Sequence, residues 1–469
     1  MAIVLVVTAV FWPPASARAN VSSAMPDFYA EPGLHPFRDQ LADTANEFID
    51  PFSGSLQLSY VDLVVPGNGG LDIKIQRHYT SNIYLTRPNL FSSPPIPSVL
   101  LPRTPTGVGW TIHFGRVIKS TQGQFGACDT NRTNPNDDTL DNAVLELPDG
   151  SNQILFVNAT SFNALFITKE QWVAYCHGAS KGLLVISPDG TQYTMDHRET
   201  LLAAYDGSFD LAWYTTRIED RNGNFIKIDY DTANLSGRGA IVKRITSSDG
   251  RTVNFSYADR TTPTKARLST ISANGQTWRY DYTPISGSAS VHYQLTRVRR
   301  PDGLSWRYAY HPPSSRQPGR NALKTVTYPY GATVTYGYDF VDFAGNTLTN
   351  LDKYLSLVVK SKRIGGRDVT SGTWGFSYSP STREDVTTVT FPGGRHEYTH
   401  FGSREIMSGS TIPGQKLWKM GLLKEKRTYN GGAVVNREIY TWDESAPYQI
   451  SRETFVRPPY SRADRAVFA

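Results

Sequence analysis

The string HEYTH at residues 396–400 is the part of this sequence that most resembles a catalytic motif. Zinc peptidases carry H-E-x-x-H on a helix, where the two histidines share a face and bind the metal while the glutamate acts as the base. Here His396, Tyr398 and His400 follow a Gly-Gly turn and alternate with other residues, as in a strand. A strand separates the two histidines by about 13 Å and points Glu397 to the other face. A zinc peptidase is therefore disfavoured, and we predict that the chain is not an enzyme.

The segment from Cys128 to Ala143 is rich in Asp and Asn, whose oxygen atoms are ligands of the kind that Ca²⁺ takes. It lacks the glycine and the closing glutamate of an EF-hand loop, and Asp and Asn are also frequent in turns. Two interpretations stay open, a calcium site or a loop built from turns. The residues that would bind calcium are Asp129, Asn131, Asn136, Asp137, Asp138 and Asp141. No motif in the sequence predicts a cofactor.

Cys128 and Cys176 are the two cysteines of the chain. Two cysteines alone cannot form a cysteine-based zinc site. A disulfide between them is permitted if the chain is exported, and it would link the segments that precede the regular repeats. Because spacing in the sequence does not fix the geometry of a pair, two unpaired thiols are the alternative.

Residues 1–19 have the features of a signal peptide. An apolar run over residues 2–12 is followed by two prolines and by Ala17, Arg18 and Ala19, an A-x-A site that predicts cleavage before Asn20. No Lys or Arg precedes the apolar run, and a short buried strand is the alternative. No later apolar run reaches about 18 residues, so we expect no transmembrane helix in the body of the chain. These features predict a secreted or cell-surface protein.

The elements that must position these residues repeat along the chain. Five times between residues 222 and 338, a turn glycine is followed by apolar or aromatic residues three, five and seven positions later. Steps of two mark one face of a strand, and the residues between them are mostly polar. The turn glycines are Gly223, Gly250, Gly275, Gly303 and Gly331, and the aromatic layer includes Tyr230, Tyr257, Tyr280, Tyr308 and Tyr336. Each unit is predicted to be a β-hairpin, because Asn-Gly and Asp-Gly favour tight hairpin turns.

The glycines lie 25 to 28 residues apart, and a period of this length indicates a repeat architecture. One hairpin alone is marginally stable, whereas neighbouring hairpins bury a continuous aromatic layer and pair each other's edges. We therefore predict an all-β chain of repeated β-hairpins, stacked into a curved or spiral sheet. The repeat tyrosines from Tyr257 onward are expected to be buried together, with Arg279 and Arg307 exposed.

The strings ITSSDGRTVNFSYAD, VRRPDGLSWRYAY and VTYPYGATVTYGYD resemble the Tyr-Asp repeats of Rhs (rearrangement hotspot) proteins. Residues 46–81 and 107–115 resemble the N-terminal region of Rhs-type shell proteins. The resemblance implies a partial Rhs-type β-shell, since the repeats of that family wind into a hollow spiral that commonly encloses a C-terminal toxin. The core-closing motif of such shells does not occur after Gly331, so the family's self-cleavage residues are not transferred. We expect a shell-forming part without a toxin domain.

This interpretation divides the chain into six parts. They are a signal peptide (1–19), a linker (20–45), an N-terminal Rhs-type β region (46–120), an irregular β region with the Asx-rich loop (121–215), Tyr-Asp-type hairpin repeats (216–445) and a tail (446–469). A stack of hairpins leaves unpaired backbone groups and an uncovered aromatic layer at its open end. We therefore expect a protein cargo or an additional shell segment to bind at the C-terminal edge.

The predicted function is that of a non-enzymatic structural or interaction protein. The alternative is a carbohydrate-binding surface module, for which Trp418 and Trp442 are the residues that could contact a surface glycan. Residues 238–324 contain 15 basic and 4 acidic residues. Because these charges are spread along the repeats, the pattern favours solvation of the outer strand faces, and no specific nucleic-acid partner is predicted.

Overall fold

The computed structural model shows an antiparallel all-β chain, which confirms the predicted fold class. The structure describes residues 46–85, 99–100, 104–121, 143–157, 166–168, 170–177, 182–202, 209–231, 240–259, 266–285, 292–313, 318–343, 355–367, 369–381, 384–402, 421–442, 449–456 and 461–467. Within these ranges no helix has the length and apolar character needed to cross a membrane. The predicted signal peptide and linker lie outside the described residues.

The first strands form two small sheets and a closed ring. The small sheets contain β1 (Glu47–Ile49), β2 (Leu56–Val65), β3 (Ile73–Thr80), β4 (Tyr84–Leu85), β5 (Val99–Leu100) and β6 (Trp110–Thr111), with a 3-10 turn at Asn68–Gly70. The ring contains β7 (Arg116–Thr121), β8 (Ala143–Glu146), β9 (Asn152–Val157), β10 (Phe166–Ile167), β11 (Val173–His177), β12 (Gly182–Ile186), β13 (Gln192–Leu202) and β14 (Phe209–Glu219).

The remaining strands continue from β14 as one antiparallel meander, which we call the long sheet. They are β15 (Phe225–Tyr230), β16 (Val242–Ser247), β17 (Thr252–Ala258), β18 (Arg267–Ala273), β19 (Gln276–Pro284), β20 (Tyr293–Arg299), β21 (Ser305–Tyr310), β22 (Leu323–Thr327), β23 (Ala332–Asp342), β24 (Leu355–Gly366), β25 (Gly372–Pro380), β26 (Glu384–Phe391), β27 (Gly394–Phe401), β28 (Leu423–Asn430), β29 (Ala433–Trp442), β30 (Gln449–Val456) and β31 (Ser461–Val467).

The turn glycines explain the regular register of the repeats. All five have positive φ, between 75° and 95°, a conformation that glycine adopts without a steric penalty. Four turns have a three-residue loop, whereas Ala273 pairs with Gln276 across a two-residue loop in which Asn274 also has positive φ. This shorter loop is why the apolar residue before the turn lies four positions before Gly275 and five before the other glycines.

A β-bulge recurs just before the last aromatic residue of each repeat. The register shifts next to this residue in all five units, at Tyr230, Tyr257, Tyr282, Tyr310 and Tyr338. Bulges bend a strand and increase its right-handed twist. Their repetition at one position gives each hairpin the same bend, as the curvature of a continuous sheet requires.

Strand β14 joins the ring to the long sheet. Its first half, Phe209 to Tyr214, pairs with β7 and closes the ring of eight strands, while Arg217 to Glu219 pair with β15. The ring has its own apolar cluster, which includes Leu145, Met195 and Trp213. The segment predicted to be irregular, residues 121–215, therefore supplies most of a closed element with a separate core.

The inner face of the long sheet, defined as the face that bears the buried repeat aromatics, is covered by the sheet β1–β2–β3–β6. Leu58, Ile75 and Trp110 from this N-terminal sheet belong to the same buried cluster as Tyr280 and Tyr336 of the long sheet. The resemblance implied a hollow shell, but from β15 to β27 the space against the inner face is filled by the chain's own N-terminal sheet.

Candidate functional site

Two strands of the N-terminal sheet contribute a buried ion pair that packs against the inner face of the long sheet. Nη2 of Arg77 lies 3.1 Å from Oδ1 of Asp62, and both side chains are at most 1% exposed. Two repeat tyrosines complete the group: Tyr280 donates to Oδ2 of Asp62 at 2.7 Å, and Arg77 donates to Oη of Tyr308 at 2.9 Å. Burial raises the pKa of Asp62, and Arg77 opposes this effect. Each charge therefore needs the other to be tolerated inside the protein.

Aromatic rings enclose the guanidinium of Arg77. Its central carbon lies 4.8 to 5.7 Å from four ring centroids, those of Tyr60, Trp110, Trp306 and Tyr308. Contacts of this kind stabilise a cation more strongly when it is desolvated. Two of these rings come from the N-terminal sheet and two from the long sheet, so the cation holds the two sheets together.

A second buried ion pair lies farther along the long sheet. Lys362 of β24 contacts Glu47 of β1 with both side chains at most 1% exposed, and the hydroxyl of Tyr336 donates to the same carboxylate. Burial raises the pKa of Tyr336 well above its ordinary value, so the hydroxyl stays protonated and able to donate. Glu47, Asp62, Arg77 and Lys362 were not identified in the sequence, because a single charge at a core position resembles a surface residue until its partner is known.

The repeat contains two classes of tyrosine with different partners. Tyrosines five positions after the glycine, such as Tyr280, Tyr308 and Tyr336, contact charges of the N-terminal sheet. Of the five tyrosines seven positions after the glycine, all except Tyr282 donate to a backbone carbonyl 15 residues earlier. These bonds are Tyr230 to Thr215 (2.6 Å), Tyr257 to Val242 (2.9 Å), Tyr310 to Leu295 (2.6 Å) and Tyr338 to Leu323 (2.8 Å).

The predicted burial of the repeat tyrosines needs one correction. Tyr280, Tyr308 and Tyr336 are buried, whereas Tyr230 and Tyr257 are half-buried and pack against the same cluster. The last two occupy the position seven residues after the glycine, next to the bulge. Arg279 and Arg307 are exposed on the opposite face.

Cover by the N-terminal sheet extends as far as β27. Thr387 of β26 donates to the carbonyl of Pro51 at 2.6 Å, and the ring of Phe52 lies 5.5 Å from that of His400 in β27. The HEYTH string therefore lies in a strand that closes the covered part. His400 is buried, the ring of His396 is 3.1 Å from Oγ1 of Thr428, and the strand places the two histidines as predicted for an extended segment rather than a helix.

Glu397 points to the outer face, where it accepts from Arg427 at 3.2 Å. The glutamate that a zinc peptidase would use as its base is thus on the opposite side of the sheet from both histidines. In the part of the chain that the structure describes, no cluster of three or more His, Cys, Asp or Glu side chains could hold a metal ion.

Beyond β27 the inner face becomes polar. The register places Lys426 opposite Tyr398 and Glu438 opposite Lys426, so the inner face continues into β28 and β29. We call this part the polar inner face, and it consists of Lys426, Thr428, Asn436, Glu438, Tyr440, Arg452 and Thr454. The expectation of an uncovered aromatic layer at this end is therefore wrong, because charged and amide side chains replace most of the aromatics here.

Glu438 is the centre of the polar inner face. It accepts from Tyr440 at 2.6 Å and from Asn436 at 3.2 Å, and Arg452 lies 2.9 Å from its Oε2. Glu438 is mostly buried, while the side chain of Arg452 is 47% exposed. The network thus holds its carboxylate in place and leaves a cationic, hydrogen-bonding surface open to solvent.

The last strand of the long sheet that the structure describes is β31, in the segment predicted to be a tail. Residues 446–469 contain β30 and β31, which pair with each other in antiparallel register. Both edges of β7 are occupied, by β8 and β14, and no described strand pairs with the second edge of β31. Alternating residues such as Arg452 and Thr454 continue the strand pattern, but they are polar where the repeats carry aromatic residues, so the pattern resembled a tail.

A buried histidine pair lies where the N-terminal sheet meets the ring. His113 is 3.2 Å from Oε1 of Glu146, which also pairs with Arg116 at 2.6 Å. His78 has two buried ring nitrogens without a hydrogen-bond partner among the described residues, and burial lowers its pKa to about 4. Its ring packs on the turn at Gly150, where a side-chain carbon would lie 2.2 Å from Nδ1.

Several predicted site residues cannot be placed. The candidate calcium ligands (Asp129, Asn131, Asn136, Asp137, Asp138 and Asp141), Cys128 and Trp418 lie outside the described residues. Cys176 is exposed in β11 and is disulfide-bonded, and its pairing with Cys128 stays a prediction.

Trp442 is 6% exposed and donates to the carbonyl of Leu423 at 2.7 Å. It is therefore not available to a surface glycan, because its ring packs on the inner face.

Comparison with protein families and with curated proteins found no match. Among solved structures, the crystal structure of TcdB2-TccC3 is 11% identical with a TM-score of 0.34, over 93% of this chain and 30% of that one. The Tc holotoxin pore of Photorhabdus luminescens is also 11% identical, with a TM-score of 0.34, over 91% of this chain and 26% of that one.

The N-terminal domain of the effector protein SpvB from Salmonella typhimurium strain LT2 matches 66% of this chain over its full length, with 11% identity and a TM-score of 0.23. The present chain thus spans less than a third of the two toxin-complex chains. TM-scores this low establish neither a shared function nor a shared arrangement of the whole fold.

Proposed function

We propose that this chain is a non-enzymatic, exported structural and interaction protein of Rhs-repeat type. In this proposal it forms part of a β-shell, and the polar inner face together with the edge of β31 holds a further protein segment. That segment is either a protein cargo or an additional piece of shell. The repeat register and the N-terminal strings that resemble Rhs proteins support the family assignment.

The observation that carries this proposal is the change of the inner face at the boundary between β27 and β28. Up to β27 the inner face is aromatic and filled by the N-terminal sheet. From β28 to β30 it presents Lys426, Glu438 and Arg452. An inner face that packs against the chain's own N-terminal sheet would carry apolar residues. A face that binds a separate segment reversibly favours charged and hydrogen-bonding groups.

The edge of β31 supports the same proposal in a different way. An unpaired strand edge offers a row of N–H and C=O groups to another strand. Addition of a strand from a partner would satisfy these groups through main-chain bonds, and the polar inner face would supply side-chain specificity. Export, which the N-terminal sequence predicts, would bring the chain to the place where such shells act.

Site-specific photo-crosslinking in an exporting host tests the proposal. A photoreactive residue is placed at Thr428 or Thr454 on the polar inner face and, as the matched control, at Thr441 on the outer face of the same sheet. We expect crosslinks from the inner positions to one defined protein segment, and none from Thr441. A clean monomer in light scattering that gives no crosslink from either inner position would refute the proposal.

A further inference from the structure

Four arginines converge on the outer face of the long sheet, in three neighbouring strands. Arg279 of β19 lies opposite Arg299 of β20, and Arg297 of β20 lies opposite Arg307 of β21. Opposite positions are about 5 Å apart and alternate positions about 7 Å apart, so the four side chains start within roughly 12 Å of one another. We call these four residues the arginine patch.

The arginine patch has little counter-charge. Asp281 lies opposite Arg297 and accepts from Arg299 at 2.8 and 3.0 Å. At the other described positions that border the patch on this face, the register places Thr270, Ser305 and Thr327, which carry no charge. Arg279 and Arg307 are both exposed. The patch therefore holds four positive charges against one negative charge.

Stability of the sheet does not explain this arrangement. Like charges directly opposite each other destabilise a strand pair, and the patch contains two such pairs side by side. Exposed cations protect free sheet edges from unwanted pairing, but β19, β20 and β21 are each paired on both sides. The sequence favoured a spread of solvated charges, whereas the register collects four of them at one place.

The geometry of the patch points to the chemistry of a partner. A guanidinium binds a carboxylate or sulfate group through two parallel hydrogen bonds, and its planar fork fixes the direction of approach. The bordering Thr and Ser side chains are short and carry hydroxyl groups, so an extended chain can lie flat across the strands. Single-stranded nucleic acid binds mainly by stacking bases on aromatic rings, and no aromatic side chain borders the patch among the described residues.

We propose that the arginine patch binds a linear acidic polysaccharide through its repeated carboxylate or sulfate groups. The site is separate from the polar inner face, because the two lie on opposite faces of the sheet. It needs no conformational change, since Arg279 and Arg307 already point to solvent. It makes no use of Trp442, so this site differs from one built on exposed aromatics.

Titration of the purified chain with heparin and with polygalacturonate tests the proposal, with neutral dextran and oligothymidylate as comparison ligands. The double variant R279Q/R307Q is expected to lose about tenfold or more in affinity for both acidic polysaccharides, as the loss of two charge-assisted contacts requires. The matched control is K227Q/K360Q, which removes the same charge from the outer face at two other places. It should change the affinity by less than about twofold.

Three further results test the proposal. R279K/R307K keeps the charge but loses the planar fork, so it should bind with intermediate affinity, and binding equal to that of the unchanged chain would overturn guanidinium recognition. An equal loss in K227Q/K360Q would mean a response to net charge alone and would overturn the site. Oligothymidylate binding that is as tight, and that R279Q/R307Q abolishes, would assign the patch to nucleic acid instead.

Discussion

Strands β21 and β29 belong to the same long sheet, but their inner faces have different chemistry. Both follow a turn that contains a glycine of positive φ, 84° at Gly303 and 87° at Gly432. The inner face of β21 carries Trp306, Tyr308 and Tyr310, and that of β29 carries Asn436, Glu438 and Tyr440. Both strands are thus paired in antiparallel register on both sides, whereas their inner side chains differ.

A repeat unit meets two separate requirements, which are to extend the sheet and to cover the N-terminal sheet. Antiparallel backbone bonds between strands are enough to extend the sheet, and they continue through β28–β31. Aromatic residues are needed only where the N-terminal sheet has to be covered. Tyrosine is favoured over phenylalanine there, because the N-terminal sheet brings buried charges whose hydrogen bonds the hydroxyl groups complete.

Removal of Arg77 should have the largest effect. The variant Arg77→Met leaves the carboxylate of Asp62 buried without its cation, and a loss of about 3–5 kcal/mol in the free energy of unfolding follows. Arg452→Met, in the polar inner face, should cost less than about 1 kcal/mol, because half of that side chain is already in water. Urea unfolding of both variants measures the difference.

The control for this prediction is the double variant D62L/R77M, which removes both charges. It should be more stable than Arg77→Met alone, since no unpaired charge is left in the core. Equal losses for Arg77→Met and Arg452→Met would contradict the division of the inner face into a covered and an uncovered part.

Truncation of a tyrosine is a second test of the difference between the covered part of the inner face and the polar inner face. Tyr336 is 1% exposed, and Tyr336→Ala should lower the free energy of unfolding by about 3–5 kcal/mol through the cavity and the lost bond to Glu47. Tyr440 is half-buried, and Tyr440→Ala should lower it by about 1 kcal/mol. The midpoints of chemical unfolding report both values, and a larger effect at Tyr440 would mean that the polar inner face is part of the core.

Acid should weaken the covered part of the molecule first. Burial lowers the pKa of His78 to about 4, so between its unfolded value of about 6.5 and pH 4 the unfolded chain binds a proton that the folded chain does not. The free energy of unfolding should therefore fall by about 1.4 kcal/mol per pH unit in this window. Burial also lowers the pKa of His113, which adds a contribution of the same sign. The polar inner face contains no histidine among its described residues.

Charged and titratable groups around His78 also affect its pKa and so determine the pH range of this prediction. His113, Glu146, Arg116 and Asp149 all act on it. Although burial acts in the opposite direction, Arg116 and His113 hold the pKa of Glu146 well below its ordinary value, so its contribution is lost only at lower pH, below about 4.3. The variant His78→Leu should flatten the dependence between pH 6.5 and 4, as measured by urea unfolding at a series of pH values. An unchanged slope would show that His78 is solvated in the folded chain.

The sequence predicted the backbone of the long sheet well and its interior less well. Offsets of three, five and seven after Gly303 identify the strand and its buried face, because period-two alternation depends only on neighbouring residues. One hydrogen-bond partner of Arg77 is Tyr308, 231 positions away, and no local pattern connects them. The strands after residue 445 were missed for a related reason, since an uncovered face needs no apolar alternation.

The difference between the two tyrosine positions was also invisible in the sequence, and it allows the smallest and most specific prediction. Tyr338 donates its hydroxyl to the carbonyl of Leu323 at 2.8 Å, whereas Tyr282, at the same position of its repeat, has a buried hydroxyl without a partner among the described residues.

The variant Tyr338→Phe should lower the free energy of unfolding by about 1 kcal/mol, because it removes a buried hydrogen bond and leaves the carbonyl unpaired. Tyr282→Phe removes an unsatisfied polar group and should be neutral or slightly stabilising. Thermal unfolding of the two variants, which make the same chemical change at equivalent positions, isolates the hydrogen bond from the ring. Equal destabilisation would mean that the carbonyl bond is not what the repeat selects at this position, and that packing of the ring alone accounts for the tyrosine.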